Sequence, residues 1–240
     1  MKKTAIFVEG QTELIFVREF LLKIFDFQNI DLECFNLQSG NENSTAYPFP
    51  NSNATHHFTI INAGNDDKVL KHLLKREVSL WNTGFSKIIA LRDMFSDRYI
   101  AVNGRKIDVL VNQQFINGAN EQVEKSAQRP ENITFCYAIM ETEAWFLGIE
   151  GWLTNIDARL TNDFIKQQLG FDLNTDPEVA YFHPATVLHK IYELADKKYE
   201  KTVSGTSRIV DFFDKNHFEN LYKTPKCGSF NYFYDTCLKI

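Results

Sequence analysis

Apolar runs with the character of buried strands alternate with helix-period segments over the first 147 residues. The strand-like runs lie at 4–8, 31–37, 57–61, 87–91 and 133–140. Between and after them, apolar residues repeat at the spacing of one helix face, over 12–25, 66–81, 107–126 and 141–147. Alternation of this kind is typical of a mostly parallel sheet with helices on both faces. We therefore predict an α/β fold of the Rossmann-like type.

The strand pattern ends near Gly148, and only short helical patterns follow it. They lie at 162–168, 184–199, 207–214 and 230–238. A chain of 240 residues suits one α/β domain with an addition. We predict a core over residues 1–148 and a helical C-terminal appendage over 149–240 that packs on the core. The polar stretch at 38–55 is interpreted as a long loop.

Charge and hydropathy exclude two classes of protein. The net charge of -5 argues against a protein that coats nucleic acid by bulk charge, although it permits an enzyme with a local basic face and a metal. Glu9 interrupts the first apolar run before it reaches the length of a signal peptide. No run approaches the roughly 20 apolar residues of a membrane helix. We expect a cytoplasmic protein with no membrane partner and, since no CxxC pair occurs, four reduced cysteines.

Acidic residues follow three of the predicted strands. Glu9 comes after IFV, Asp93 after IIALR, and Glu141 after CYAIM. Ligands of open α/β sheets bind outside the carboxyl ends of the strands, so parallel strands would bring these three acids to one rim. Further acids lie close by along the chain, namely Glu13, Asp97 and Glu143.

Two interpretations of these acids stay open. Taken singly, Glu13, Glu141 and Glu143 fit the first turn of a helix, where free N–H groups and the helix dipole favour a negative charge. Taken together, clustered carboxylates repel one another unless a cation or a proton neutralises them. Carboxylate oxygens are ligands that suit Mg²⁺ or Mn²⁺. The grouping at three strand ends favours a metal site.

Gly10 and Thr12 are candidates for phosphate binding. A glycine directly after a strand allows a tight turn and a close approach of phosphate to the backbone. The helix that begins near Gln11 and Thr12 adds a weak anion site at its N-terminus. The segment is not a P-loop, because no Gly-Lys-Ser/Thr follows.

The segment Phe7–Glu13, FVEGQTE, resembles the opening motif of TOPRIM domains, above all the VEG-x-x-E form of OLD-type nucleases and related defence proteins. It is more similar still to a family of TOPRIM-like bacterial proteins linked with phage defence. These pair an EG-x-T-E opening with a later E-x-E-A segment, which Glu141–Ala144 matches. The likeness covers roughly residues 3–147. It departs from the topoisomerase and primase pattern at Asp-x-Asp, since Phe95 follows Asp93 at the second acidic position and Asp97 is the candidate replacement.

The resemblance implies a nuclease or phosphodiesterase that depends on Mg²⁺ or Mn²⁺ and acts on DNA or RNA in prokaryotic defence. Glu9 and Asp93 would be catalytic, with Glu9 as a metal ligand or a general acid–base. The implied metal ligands are Glu9, Glu13, Asp93, Asp97, Glu141 and Glu143. A separate ATPase sensor would be a partner, since this chain has no ATP-binding motif. The alternative is a non-catalytic TOPRIM-like regulator of a defence complex.

Two lysine-rich runs are candidate nucleic-acid contacts, at 68–76 and at 197–201. Runs of this kind are more often solvated helix faces. The aromatic residues of the tail are more simply explained as core than as base-stacking platforms.

Overall fold

The strands of the described chain form one sheet. A computed structural model describes residues 1–38 and 41–239. In this part of the chain the strands are β1 (Lys2–Val8), β2 (Ile30–Gln38), β3 (Asn41–Ser44), β4 (His56–Asn62), β5 (Lys87–Asp93) and β6 (Ile133–Ala138). They form a single six-stranded sheet in the order β3-β2-β4-β1-β5-β6.

Strand pairing in this sheet is mostly parallel. β1 lies between β4 and β5 and is parallel to both, and β4 is also parallel to β2. The short β3 is antiparallel to β2 and lies at the sheet edge. The predicted α/β class with a mostly parallel sheet is confirmed.

Helices connect the strands and make up most of the chain after residue 148. The α-helices are α1 (Gln11–Ile24), α2 (Asp66–Asn82), α3 (Asp97–Asn103), α4 (Val109–Ser126), α5 (Thr142–Gly148), α6 (Asn162–Leu169), α7 (Pro177–Ala180), α8 (Pro184–Glu193), α9 (Val203–Val210), α10 (Lys215–Lys223) and α11 (Gly228–Leu238). The predicted helical character of the C-terminal region is confirmed. In the described part of the chain, no helix combines the length and the apolar character needed to cross a lipid bilayer.

Four of these elements were missing from the sequence prediction, namely β3, α3, α7 and α10. α3 lies in the segment predicted as a loop, where Ser96 caps the helix by accepting a hydrogen bond from the Tyr99 N–H at 3.2 Å. β3 lies in the predicted polar loop, and all four of its residues are exposed. Ser39 and Gly40, also within that loop, lie outside the described residues.

The described chain divides into two compact units. The first comprises residues 1–92 and 113–137 together with the chain end from Phe233. The second comprises residues 93–112 and 138–232. The chain therefore passes from the first unit to the second at the ends of β5 and β6, which are neighbours in the sheet. The domain boundary near Gly148 stays a prediction.

The first unit has its core around β1. Ala5, Ile6, Phe7 and Val8 are fully buried, as predicted for this apolar run. α1 packs on β1 and β4 and buries most of its length. In this unit Arg92, at the end of β5, forms an ion pair with Asp66 at 3.0 Å and lies over the Tyr137 ring.

Candidate functional site

The second unit begins with the segments that leave β5 and β6, and backbone hydrogen bonds hold these segments side by side. The Met94 N–H donates to the Ala138 carbonyl at 2.9 Å, and the Phe95 N–H donates to the Met140 carbonyl at 2.7 Å. Met140 has a φ of 61°, a left-handed conformation that is uncommon outside glycine. This turn ends the strand and starts α5 two residues later, so Glu141 and Glu143 come close to Asp93.

Asp93, Glu141 and Glu143 form a buried group, called here the acidic triad. One carboxylate oxygen from each lies within 4.8 Å of the others. All three residues are buried, and Glu143 is fully so. Carboxylates that are this close and poorly hydrated repel one another strongly, so the triad requires a cation or a proton.

The donor set of the acidic triad fits a hard divalent ion. Three carboxylate oxygens are the ligands that Mg²⁺ and Mn²⁺ prefer. Two oxygens bound to one Mg²⁺ lie at most about 4.2 Å apart, twice the bond of about 2.1 Å. The three carboxylate oxygens of the triad lie within 4.8 Å of one another, which is close to this value. Small side-chain shifts would therefore allow all three to bind one ion.

Backbone N–H groups hold two acids of the triad. Asp93 Oδ1 accepts a hydrogen bond from the Thr142 N–H at 3.0 Å, at the start of α5. Glu141 precedes α5 but makes no capping bond to it. Its Oε2 instead accepts from the Ala185 N–H at 3.0 Å, in the first turn of α8, and lies 2.9 Å from His183 Nδ1. The two acids are thus fixed by helix N-termini as well as being clustered.

Side chains from the segment after α8 reach the same acids. The Tyr199 hydroxyl donates to Glu143 Oε1 at 2.6 Å. Lys201 Nζ lies 3.5 Å from Asp93 Oδ2, 3.6 Å from Glu141 Oε1 and 3.2 Å from Glu143 Oε1. Its side chain is 41% exposed. The ammonium group therefore occupies a position that contacts all three carboxylates, as a bound cation would.

Burial dominates the protonation of the site. It raises the pKa of Glu141, and the neighbouring Glu143 raises that pKa further, while Lys201, the Ala185 N–H and His183 lower it. Burial followed by the Glu143 charge raises the pKa of Tyr199 as well. Tyr199 is therefore a neutral hydrogen-bond donor at physiological pH.

A close backbone approach fixes the segment that carries Tyr199 and Lys201. A Cβ atom added at Gly205, in α9, would lie 2.1 Å from the Glu200 carbonyl oxygen. Only glycine allows α9 to pack this closely on the backbone between Tyr199 and Lys201.

A second buried carboxylate anchors α5. Trp145, one turn along from Glu141, donates its Nε1–H to Glu178 Oε1 at 2.9 Å. Glu178 Oε2 accepts from the Ser229 N–H at 3.0 Å, and the Ser229 hydroxyl also bonds Glu178. Burial raises the pKa of Glu178 to about 7, against the lowering effect of the Ser229 hydrogen bonds. This carboxyl is close to half protonated near neutral pH.

The raised pKa of Glu178 predicts a pH-dependent stability. The folded state holds a proton on Glu178 up to about pH 7, while the unfolded chain releases it near the ordinary glutamate pKa of 4.5. The stability that the protonated Glu178 carboxyl contributes to the folded state is therefore fully present below pH 4.5 and is lost as pH rises through 7. We expect the free energy of unfolding of wild type to fall by about 2 kcal/mol between pH 5 and 8 relative to Glu178→Gln, measured by urea denaturation. Parallel pH profiles of the two proteins would contradict this assignment.

The predicted residues of the opening motif lie in the first unit. Glu9 follows β1 and is half-buried, and Gly10 is the extended residue that precedes α1. Thr12 and Glu13 are buried in the first turn of α1. A Cβ atom at Gly10 would lie 3.0 Å from Glu13 Oε2, so the Glu13 carboxylate folds back toward this glycine. The metal roles of Glu9 and Glu13 and the phosphate roles of Gly10 and Thr12 stay predictions.

The remaining predicted ligands lie in the second unit. Asp93, Glu141 and Glu143 come together there. Asp97 is exposed in the first turn of α3 and is not part of the acidic triad. Its metal role also stays a prediction.

Three contributors to the site were not predicted for it. Lys201 appeared only as part of a lysine-rich run, and neither His183 nor Tyr199 was predicted as a site residue. All three lie 40 or more residues after Glu141, so no local spacing connects them with the acids.

Comparison of this chain with protein-family models, with curated proteins and with solved structures finds no match.

Proposed function

We propose that this chain is a nuclease or phosphodiesterase that acts on nucleic acid and depends on Mg²⁺ or Mn²⁺. The observation that carries the proposal is the acidic triad, in which Asp93, Glu141 and Glu143 are buried and lie within 4.8 Å of one another. The resemblance of FVEGQTE to TOPRIM openings supports the same chemistry. It also supports a role in prokaryotic defence against phage, with a separate ATPase as partner.

The three acids would hold the divalent ion. A bound ion of this kind activates a water molecule and stabilises the charge that develops on the attacked phosphate. Tyr199 would keep Glu143 oriented through its hydrogen bond of 2.6 Å. Lys201, displaced from the acids, would be available to pair with a phosphate oxygen. Glu9 is proposed as a further ligand or a general acid–base, on the resemblance alone.

Calorimetric titration with Mn²⁺ and Mg²⁺ tests the proposal. We expect saturable binding to wild type and its loss in Glu143→Gln, which removes one negative charge from the triad at nearly constant volume. Glu9→Ala, measured alongside, reports whether the opening motif contributes a ligand. Absence of binding to folded wild-type protein would contradict the metal-dependent function.

One observation favours a second candidate function. Lys201 already contacts all three acids, at 3.2 to 3.6 Å, and so neutralises part of their charge without a metal. A non-catalytic regulator of a defence complex would retain the acidic triad as an ion-pair network that holds the fold. The two candidates differ in whether a divalent ion can replace the ammonium group.

A further inference from the structure

A cavity of about 670 Å³ lies in the second unit, called here the α8–α9 groove. Its walls include Tyr192 near the end of α8, then Lys197, Lys198 and Glu200, and finally Arg208 in α9 and Phe212 just after that helix. This volume is within the range of small-molecule sites.

Charge in the α8–α9 groove is opposite in sign to that of the whole protein. Three cations, Lys197, Lys198 and Arg208, line it against the two acids Glu200 and Asp211. The groove thus has an excess of one positive charge in a chain of net charge -5. Local positive charge on an acidic protein favours a specific anionic ligand.

Arg208 is the cation of the groove that is best placed to bind an anion. Lys197 donates to the Ile156 carbonyl at 2.6 Å, and Lys198 pairs with Glu200 at 3.1 Å. Arg208 is exposed, and among the described residues it makes no hydrogen bond or ion pair. Its guanidinium group has the planar fork of donors that binds phosphate oxygens in pairs.

Two aromatic rings share the groove with these cations. Tyr192 and Phe212 are both half-buried and line the cavity. Phe212 stacks against Trp152, with ring centroids 6.3 Å apart and planes at 30°. Trp152 is fully buried, so it supports Phe212 from behind. A rigid aromatic face beside cations matches a ligand that joins a flat ring to a phosphate.

The groove and the acidic triad share one stretch of chain. Between Lys198 and Lys201, side chains alternate between lining the groove and contacting the acidic triad. Lys198 and Glu200 line the groove, while Tyr199 and Lys201 contact the triad. A smaller cavity of about 50 Å³ shares Lys198, Glu200 and Arg208 with the groove and is lined by Tyr199 as well.

We propose that the α8–α9 groove binds one nucleotide of a single-stranded nucleic acid, with the base against Phe212 and Tyr192 and the phosphate on Arg208. This inference rests on the proposed function, since it names the class of nucleic acid that an enzyme with its metal site at the acidic triad would take as substrate. A duplex keeps its bases stacked inside and does not present a free base face. Single strands are therefore the ligands that can use both the rings and the cations.

Binding of a fluorescein-labelled eight-nucleotide single strand, followed by anisotropy in EDTA, tests the groove without metal or cleavage. We expect wild type to bind the single strand more tightly than a duplex of the same sequence. Arg208→Gln should weaken binding roughly tenfold and lower the slope of log affinity against log salt by about one. Phe212→Ala should also weaken binding by roughly tenfold. Arg105→Gln, at another exposed arginine of the same unit, should leave affinity and slope unchanged.

The outcomes separate this inference from the proposed function. Equal affinity for single strand and duplex, or equal effects of Arg208→Gln and Arg105→Gln, would overturn the groove assignment. Oligonucleotide binding that depends on Arg208, in a protein that binds no metal by calorimetry, would keep the groove and refute the nuclease. Metal binding without oligonucleotide binding would refute the groove assignment and leave the metal site of the proposed function standing.

Discussion

Asp93→Asn is expected to lower the rate of the proposed metal-dependent nucleic-acid cleavage by roughly 10³-fold, because a divalent ion at the triad would supply most of the charge stabilisation at the phosphate. Asparagine has almost the same shape as aspartate and keeps an oxygen that accepts the Thr142 N–H, at 3.0 Å from Asp93 Oδ1. The start of α5 should therefore stay folded. What is lost is one of the three negative charges that would hold the ion. Initial rates with Mn²⁺ on labelled single-stranded DNA and RNA measure the effect.

A matched control separates the loss of a ligand from the loss of a surface charge. Asp163 is exposed in the first turn of α6, so Asp163→Asn removes the same charge outside the acidic triad. Its rate should stay within about twofold of wild type, since surface substitutions of this kind have small effects. Asp97→Asn, at an exposed position in α3, shows whether the predicted Asp-x-Asp replacement contributes. Full activity in Asp93→Asn would contradict a metal role for the triad.

The meeting of Asp93 with Glu141 and Glu143 was predictable in outline from the sequence. Apolar runs defined β5 and β6, each run ended in or just before an acid, and acids after neighbouring parallel strands are brought to one edge. Local pattern was sufficient for the strand ends and helix starts, whereas the neighbouring positions of β5 and β6 in the sheet come from the structure. The same reasoning correctly located the buried strand β1 that ends before Glu9.

What surrounds the triad was not predictable, for a physical reason. Lys201 contacts Glu143, which lies 58 residues earlier, and this contact depends on how α8, α9 and the segment between them pack. A lysine in a charged run gives no sign of which acids it will meet. The edge strand β3 was missed because its four residues are all polar and exposed, so they show no alternation of buried and exposed side chains. Contacts that depend on tertiary packing produce no periodic pattern of residues in the sequence.

Lys201→Met is expected to destabilise the metal-free protein, because it leaves the three acids without the ammonium group at 3.2 to 3.6 Å. Methionine keeps a long unbranched chain, so packing changes little while the positive charge is lost. Removing one partner of a buried ion pair typically costs roughly 3–5 kcal/mol. Lys201 is 41% exposed, so solvent weakens its interactions and we expect a loss of about 2 kcal/mol in EDTA. Urea denaturation measures the loss.

The response of Lys201→Met to Mn²⁺ distinguishes the two candidate functions. If a divalent ion occupies the triad, it no longer competes with the ammonium group, so added Mn²⁺ should raise the stability of the variant more than that of wild type. Lys166→Met removes an exposed ion pair with Asp172 at 2.6 Å and should change stability much less than Lys201→Met does, with no effect of Mn²⁺. Destabilisation of Lys201→Met that Mn²⁺ does not reverse would favour the non-catalytic regulator. In that case Lys201 would be the permanent counter-ion of Asp93, Glu141 and Glu143, and the acidic triad would serve the fold.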